Sequence, residues 1–378
     1  MNIILVYLGD LLHCPPAMSL GKVLEDLGYE TKFITYDDEK LEFTKYFEDM
    51  MHVEQISIGA SNTRSNPFIK FFRFWIIKHK LWTLINQYYN DDSLIWIVSN
   101  GSLKYFGKKL LQKKYILHLL ELTEELYFVE SRHLLPLSRE YILNAVDVVE
   151  CEYNRAHISK AWWGLKRIPS VLQNKPYNSV KIEKNHPITS NETVKNVIEK
   201  LKDKKIVLYQ GNISKERPLD NYIKAVAELG DNYAFVAMVN GKNPYEGKSS
   251  NYFYIPFVNP PFHLEVTSHA YIGILSYTPV KNSYSILNTV YCAPNKIWEY
   301  SQFGVPMISN DLPALKYHFE KYNDGIACID DSVETIKNAI VEISSSYDAY
   351  SQNSKNMFDA YDLKMEVNNI LKRSKDNE

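Results

Sequence analysis

The sequence has few cysteines, and they are scattered. Cys14, Cys151, Cys292 and Cys328 are the four cysteines among 378 residues, and none of them forms a CxxC pair or a Cys/His cluster. This spacing argues against a disulfide framework and against a zinc site. A reducing compartment, the cytoplasm, is therefore the expected location.

Long apolar runs and an imbalance of charge are also missing. No stretch of about 18 uninterrupted apolar residues occurs, so no membrane-spanning helix is predicted. The N-terminal run MNIILVYLGD meets an acid within ten residues and lacks a basic leader, which favours a first β-strand over a signal peptide. The formal net charge is −2, so nothing global points to a nucleic-acid partner.

What is present is an alternation of strands and helices. The length fits two domains of roughly 150–200 residues each. A strand at Asn2–Leu8, a helix at Ala17–Leu27 and a strand at Glu30–Tyr36 form a βαβ unit, which implies a parallel sheet. Further strands are predicted at Leu94–Val98, Tyr115–Leu119 and Val146–Glu150.

The same pattern restarts after residue 204. The strand Lys205–Tyr209 leads into Gly211, a helix at Leu219–Leu229 and a strand at Ala234–Val239. Two doubly wound domains in tandem would place the carboxyl ends of both sheets around one crevice, the usual ligand site of such sheets. The later elements are predicted as strands at Phe253–Phe257, Ala270–Leu275, Val305–Ser309 and Ala327–Ile329, and as helices at Lys296–Phe303, Val333–Ser344 and Met357–Leu371.

These elements define the expected domains. Residues 1–178 form the first doubly wound domain, and residues 179–204 form a polar linker with a short amphipathic helix. Residues 205–355 form the second domain, and residues 356–378 form a C-terminal helix that could cross back to the first.

The segment PNKIWEYSQFGVP, Pro294–Pro306, carries most of the chemical information. Pro294 suits the start of a helix, where its missing N–H has little cost, and Gly304 suits its end. The unpaired N–H groups of the first turn favour an anion such as a diphosphate. Glu299, in the second turn, could accept hydrogen bonds from a vicinal diol such as a ribose.

This segment resembles the PNKLFEYMAxGxPVI stretch of retaining glycosyltransferases of the GT-B fold, in particular glycosyltransferase family 4. The continuation SNDLPAL…NDGIACIDD and the upstream run VLYQGNISKERPLDNYIKAV are similar to that family as well. The resemblance covers nearly the whole chain, strongly over 205–330 and loosely before it. It implies an α/β GT-B fold, with two Rossmann-like domains that face a central cleft.

The resemblance also implies roles for individual residues. Glu299 matches the glutamate that holds the nucleotide ribose, and Arg217 matches the cation that neutralises the donor diphosphate in the transition state. His118 matches a histidine that contacts the donor sugar near the reacting centre, and with Arg217 it is the predicted catalytic residue. The remaining residues expected to bind the donor, including those of the loop Asn288–Lys296, are Gly9, Gly211, Asn212, Tyr291, Pro294, Asn295 and Lys296.

Two positions depart from the family pattern. Tyr291 stands where the first glutamate of the E-x7-E motif is expected, and Asn212 stands where a second phosphate-binding arginine is common. The ribose contact is therefore a firmer expectation than the contacts to the sugar.

Plainer interpretations remain open for several of these residues. Arg217 could be an ordinary surface arginine, and His118 could be a core histidine. Asp10 and His13 could supply a base for the acceptor or could cap a turn. A cleft position is also open to Glu121, Glu124 and Glu125, which could equally be charges at the entry to a helix.

The segment Phe68–Tyr89 is unusually apolar and basic. Lys70, Arg73 and Lys80 form only a narrow polar stripe, and a second basic run follows at Lys104–Lys114. One interpretation is peripheral contact with a membrane, which suits an acceptor carried on a polyprenyl diphosphate. The other is a buried contact between helices with solvated lysines.

The function expected from the resemblance is hexosyl transfer from a nucleotide-diphosphate sugar, of the UDP or GDP type, to a saccharide acceptor. Retention at the anomeric carbon, independence of metal ions and cofactors, and a role in bacterial surface polysaccharide or capsule synthesis are implied with it. We expect such an enzyme in the cytoplasm, on the inner face of the plasma membrane if the membrane interpretation holds. The alternatives are a GT-B sugar-nucleotide epimerase and a non-catalytic GT-B partner subunit.

Overall fold

The computed structural model describes residues 1–37, 50–60, 66–129, 134–177, 182–280 and 284–375. The chain divides into two compact units. Unit 1 comprises Met1–Ser179, Lys281–Asn288 and Asp362–Glu378, and unit 2 comprises Val180–Val280 and Thr289–Tyr361. The expected boundary between residues 178 and 179 lies outside the described residues.

The N-terminal half of the chain alternates strands and helices, with short 3₁₀ turns at Leu11–His13 and Lys108–Gln112. The elements are β1 Asn2–Tyr7, α1 Pro15–Asp26, β2 Thr31–Asp37, β3 Val53–Ala60, α2 Pro67–Tyr88, β4 Ser93–Val98, α3 Asn100–Leu103, β5 Tyr115–Leu119, β6 Tyr127–Val129, β7 Leu134–Pro136, α4 Glu140–Leu143, β8 Asp147–Glu150, α5 Tyr153–Trp163 and β9 Ser170–Val171.

The remainder of the chain repeats the alternation and ends in helices. The elements are α6 Glu192–Lys200, β10 Lys205–Asn212, α7 Asp220–Glu228, β11 Tyr233–Asn240, β12 Tyr252–Pro256, α8 His263–Thr267, β13 Ile272–Leu275, α9 Leu287–Val290, α10 Asn295–Ser301, β14 Met307–Asn310, α11 Pro313–Tyr322, β15 Gly325–Cys328, α12 Val333–Ser345, α13 Tyr347–Ala360 and α14 Leu363–Lys375.

Each unit contains a parallel sheet with the same strand order about its centre. Over the described residues, the sheet of unit 1 has the order β3-β2-β1-β4-β5-β8-β9, and that of unit 2 has the order β12-β11-β10-β13-β14-β15. The chain winds outward from the first strand, returns, and continues on the other side. The order therefore reverses between β1 and β4 and between β10 and β13, and each reversal opens a crevice at the carboxyl ends of the strands.

The central strands are apolar on both faces because helices cover both faces of each sheet. All residues of β4 and β5 are buried. In β10, Ile206 and Leu208 belong to one apolar cluster while Val207 and Tyr209 belong to another, as the alternation of side chains along a strand requires. The strands predicted from the apolar runs are thus confirmed, within two residues at most ends.

Several features differ from the sequence interpretation. The strands β3, β6, β7 and β9 were not predicted, and the helix expected at Met357–Leu371 is interrupted between Ala360 and Leu363. The described part of the expected linker, residues 182–204, packs into unit 2, where Val194 and Ile198 of α6 join an apolar cluster of the sheet. Three polar side chains of that segment, Lys184, Thr189 and Ser190, also form hydrogen bonds with the remainder of unit 2. The residues after Tyr361, including α14, cluster with unit 1.

Candidate functional site

The candidate site lies in unit 2, where the strand order reverses between β10 and β13. Val207 pairs with Ile272 and Leu208 pairs with Gly273, so the ends of these two strands are neighbours. Three segments meet at this edge: the carboxyl end of β10 with the turn that follows it, the residues after β13, and the start of α10. Gly211, Arg217, Lys296 and Glu299, which the sequence singled out, belong to these segments.

Lys296 is a buried cation in an aromatic setting. Its side chain is only 8% exposed, and Nζ lies 4.5 Å from the ring centre of Tyr209 and 4.9 Å from that of Tyr277. Among the described residues, Nζ has no hydrogen-bond partner. Burial, reinforced by the nearby positive charge of Arg217, lowers the pKa of Lys296 to about 7. An anionic ligand would stabilise such a buried ammonium group strongly, because it supplies the hydrogen-bond acceptors that the group lacks.

Arg217 approaches the same aromatic ring. Its guanidinium carbon lies 5.2 Å from the ring centre of Tyr277. The backbone N–H of Arg217 donates to the carbonyl of Ser214 at 3.0 Å, which closes the turn that holds the arginine in place. Two cations therefore border one tyrosine, and an anion between them would relieve their mutual repulsion.

Gly211 leaves room beside Lys296. Its φ of +128° lies in the region that favours glycine, and a Cβ at this position would lie 3.6 Å from Lys296 Nζ. The hydroxyl of Tyr209 donates to the carbonyl of Asn212 at 2.6 Å, which fixes the carboxyl end of β10. Asn212, the last residue of that strand, is exposed.

Glu299 is held as a carboxylate by its neighbours. Its Oε2 accepts a hydrogen bond from Gln210 Nε2, and its Oε1 lies 3.3 Å from Nε2 of His263. Burial alone would raise the pKa of Glu299, but His263, Gln210 and Lys296 together hold it below its ordinary value. A carboxylate offers about four lone-pair sites, so the diol of a ribose could still bind to the two that remain.

The helix that carries Lys296 and Glu299 is shorter than the sequence suggested. It spans Asn295–Ser301, with Pro294 as its N-cap residue in an extended conformation. Tyr300 anchors it, because its hydroxyl donates to the carbonyl of Leu208 at 2.9 Å. The helix has only one and a half to two turns. The side chain of Lys296 therefore contributes more to binding an anion here than the helix dipole does. Tyr291, Pro294 and Asn295 are half-buried at its entry.

Gly9 and His118 belong to unit 1 and are not part of this cluster. A Cβ at position 9 would lie 2.5 Å from the hydroxyl oxygen of Tyr7, so glycine is required for the close approach of that side chain. His118, in β5, is 1% exposed, and among the described residues neither ring nitrogen has a hydrogen-bond partner. Burial lowers its pKa to about 3. The ring borders a small pocket lined also by Ser19 of α1 and Val367 of α14.

The other acids and bases that the sequence left open have local partners. His13 Nδ1 lies 2.8 Å from Asp10 Oδ2, both about half exposed, in the turn after β1. Glu121 accepts a hydrogen bond from Asn288 Nδ2 at 2.7 Å, within unit 1. Glu125 accepts one from the hydroxyl of Tyr127, and Glu124 is exposed.

Several residues of the cluster were not predicted. Tyr209, Tyr277, Gln210 and His263 surround Lys296 and Glu299. Thr267 extends the network, since its hydroxyl donates to Gln210 Oε1 at 2.7 Å. Tyr209 and Gln210 come directly before Gly211 at the end of a strand, and this position could have identified them as site residues from the sequence. Tyr277 and His263 come from distant segments and carry no such signal.

Two searches of the described ranges found nothing further. No group of three or more His, Cys, Asp or Glu side chains in those ranges is placed to hold a metal ion. None of the helices described is both long enough and apolar enough to cross a bilayer.

Comparison with known proteins identifies the fold. A scan against protein-family models finds no match, and a search of curated proteins finds none either. Solved structures do match: HepE from Anabaena in complex with UDP and glucose has a TM-score of 0.64 at 11% identity, over 98% of each chain. A glycosyltransferase from Rickettsia africae has a TM-score of 0.64 at 12% identity, over 100% of this chain and 98% of the other. Sucrose-phosphate synthase from Thermosynechococcus elongatus has a TM-score of 0.62 at 14% identity, over 99% of each chain.

These likenesses extend over essentially the whole length of each chain, although few residues are identical. The protein therefore has the GT-B fold, with two Rossmann-like units, as the sequence indicated.

Proposed function

We propose that the protein is a glycosyltransferase that moves a sugar from a nucleotide-diphosphate sugar to a saccharide acceptor. The observation that carries this proposal is the pairing, at one strand-order reversal, of a buried cation without an acceptor and a fixed carboxylate. Lys296 and Arg217 suit the diphosphate, and Glu299 suits the ribose. HepE, which shares the fold, was crystallised with UDP and glucose, which favours a uridine nucleotide as the first to test.

The proposed chemistry depends on the leaving group. When the bond from the sugar to the diphosphate breaks, negative charge accumulates on the nucleotide. Two cations already placed beside that position, in a site of low dielectric, stabilise this charge without reorganising. Because Lys296 and Arg217 supply the positive charge, we propose that transfer needs no divalent ion.

The finer assignments follow from the resemblance in sequence. Retention at the anomeric carbon, contact of His118 with the donor sugar, and a polyprenyl-linked acceptor in bacterial surface polysaccharide synthesis belong to this proposal. Gly9, Asn212, Tyr291, Pro294 and Asn295 are assigned to the donor site on the same basis.

Nucleotide binding tests the proposal at its base. We expect one nucleotide of the set UDP, GDP, dTDP and CMP to raise the melting temperature of the full chain, since a ligand that binds only the folded state stabilises it. Glu299→Ala should abolish that rise, whereas Glu320→Ala, which removes an exposed glutamate of α11, should leave it intact. If none of the four nucleotides stabilises the protein, the proposal fails.

Incubation with the donor alone separates the alternatives. A transferase releases free sugar slowly by transfer to water, an epimerase produces an isomeric nucleotide sugar, and a non-catalytic subunit produces neither. The last alternative draws on Tyr291, which stands where the family resemblance leads one to expect a glutamate.

A further inference from the structure

The first half of α2 exposes an apolar surface that no described residue of unit 1 covers. Six large apolar side chains in its first ten residues are 51–76% exposed: Phe68, Ile69, Phe71, Phe72, Trp75 and Ile76. We call this surface the α2 patch. Single exposed apolar residues are ordinary, but a contiguous group of this kind marks a surface that binds a partner or a membrane.

The two halves of α2 differ on the same exposed face. At 100° per residue, the six residues of the α2 patch occupy an arc of about 160°. Along the second half, the exposed positions on that face are instead polar: His79, Lys80, Thr83, Asn86 and Gln87. The apolar stretch is therefore confined to about 12 Å of helix.

The opposite face of α2 already satisfies the packing of unit 1. Ile77, Leu81 and Ile85 are buried in the apolar cluster of the sheet. In the second half of the helix even Trp82, which lies in line with the α2 patch, is buried, and its Nε1 donates to the carbonyl of Phe106 at 2.7 Å. The second half of α2 therefore makes the buried contact that one interpretation of the segment expected. The first half lies outside that contact, on a helix that is firmly anchored.

A neighbouring hairpin extends the α2 patch. The ring of Phe74 lies 4.8 Å from that of Phe128 in β6, and β6 pairs with β7. Leu134 and Leu135, at the start of β7, are also exposed. Since Phe74 also lies 5.6 Å from Trp75, aromatic side chains link the α2 patch to β6.

The charges around the α2 patch indicate what kind of partner binds there. The 22 residues of α2 include no Asp or Glu and four cations, Lys70, Arg73, Lys78 and Lys80. The whole chain, by contrast, has a net charge of −2. Lys78 Nζ lies 5.2 Å from the ring centre of Trp75, an arrangement of cation beside aromatic that suits the headgroup region of a bilayer. Two copies of this surface would bring like charges together, which disfavours self-association.

We propose that the α2 patch docks on an anionic lipid bilayer, with its aromatic and aliphatic side chains at the boundary of headgroups and acyl chains. Lys78 and Arg73, which flank the α2 patch on either side of the helix, then lie at the level of the lipid phosphates. This inference goes beyond glycosyl transfer, because it rests on exposure and charge in unit 1 and uses no residue of the nucleotide cluster.

Co-sedimentation of the full chain with vesicles tests the proposal. We expect binding to vesicles of phosphatidylcholine with about a quarter phosphatidylglycerol at low salt, and much weaker binding to phosphatidylcholine alone or at about 1 M salt, where charges are screened. No binding to the anionic vesicles at low salt would overturn the proposal. A nucleotide-induced rise in melting temperature would persist in that case, so this failure is distinct from failure of the proposed function.

Variants then locate the contact. Phe72→Ser combined with Trp75→Ser should weaken vesicle binding at least about tenfold, since two large apolar groups lose their burial. Lys78→Gln should weaken binding to anionic vesicles about fivefold, because Lys78 flanks the α2 patch beside Trp75. Met51→Ser removes an equally exposed apolar side chain elsewhere in unit 1 and should have no effect.

Two further results would decide against a bilayer. Unchanged vesicle binding by the double variant would overturn the assignment to α2, and the nucleotide-induced rise in melting temperature would show that this variant is folded. Concentration-dependent dimerisation without lipid, lost in the double variant, would assign the α2 patch to a second copy of the chain instead.

Discussion

Lys296 shows how a single residue can be unfavourable for folding and useful for binding. An ammonium group buried between two tyrosine rings without a hydrogen-bond acceptor destabilises the folded state, because it has lost its water and gained only the ring faces. An anionic ligand removes that disadvantage. Binding of a diphosphate therefore gains the free energy that the unpaired ammonium group loses in the ligand-free protein.

This leads to a prediction about stability and pH. The pKa of Lys296 is about 7 in the folded state, below its ordinary value, so between about pH 7 and pH 10 the unfolded state binds more protons. The free energy of unfolding of the ligand-free protein should consequently rise with pH across this window, with a contribution of at most about 1.4 kcal/mol per pH unit. Urea unfolding at several pH values measures this slope.

The variant Lys296→Met should remove that contribution and weaken nucleotide binding about tenfold or more at neutral pH. Lys202→Met, which removes an exposed lysine of the same unit, serves as the control. An identical pH slope in wild type and Lys296→Met would contradict the placement of the ammonium group.

The sequence identified this residue only by its neighbourhood in PNKIWEYSQFGVP. The sequence could predict that Lys296 and Glu299 lie together, because they are three positions apart in one short helix. It could not supply Tyr277 or His263, because their contacts depend on how β13 and α8 are placed against that helix.

Among the elements, the polar segment before β10 shows how a stretch expected to be a linker can still be anchored by specific contacts. Glu265 of α8 binds Thr189 and Ser190 in this segment. Its carboxylate accepts hydrogen bonds from the backbone N–H and the hydroxyl of both Thr189 and Ser190. Burial would raise the pKa of Glu265, but these donors outweigh burial and hold it below its ordinary value.

We therefore predict that Glu265→Ala lowers the free energy of unfolding of unit 2 by about 3 kcal/mol, because it leaves several donors without an acceptor. The effect should be fully present above the ordinary glutamate pKa of about 4.3 and should be lost as the pH falls from there through the depressed pKa of Glu265 in the folded protein. Unfolding monitored by circular dichroism, together with limited proteolysis of the 182–191 segment, measures both.

Glu199→Ala, in the exposed surface of α6, is the matched control and should change the free energy of unfolding by less than about 0.5 kcal/mol. If Glu265→Ala were equally silent, the segment would be the linker that its composition suggested.

The sequence predicted the secondary structure better than it predicted these side-chain contacts. Buried parallel strands appear in the sequence as short apolar runs, and β4, β5 and β10 were recognised in this way. β3 was missed because it lies at an edge of the described sheet, where the adjacent polar residues Glu54 and Gln55 interrupt the apolar run. The break after α13 was missed because apolar residues continue on both sides of it.

At the scale of the whole molecule, the fold follows from a repeated unit of strand, glycine and helix in each half of the chain. That repeat predicted two doubly wound units, and the GT-B fold of the solved relatives agrees with it. Function is less accessible, because a fold of this kind hosts more than one activity and the chemistry belongs to particular side chains. The proposal of glycosyl transfer therefore depends on Lys296, Arg217 and Glu299 rather than on the fold.

Consumption of a nucleotide-diphosphate sugar by the full chain tests the central claim most directly. Release of the nucleoside diphosphate from UDP-sugars and GDP-sugars can be followed in the presence of EDTA, without acceptor and with simple saccharides. We predict slow release from one donor without acceptor, faster release with a suitable saccharide, no dependence on added magnesium, and loss of the activity in Lys296→Met. A protein that binds none of these donors and releases no nucleotide from them, with or without acceptor, would contradict the account.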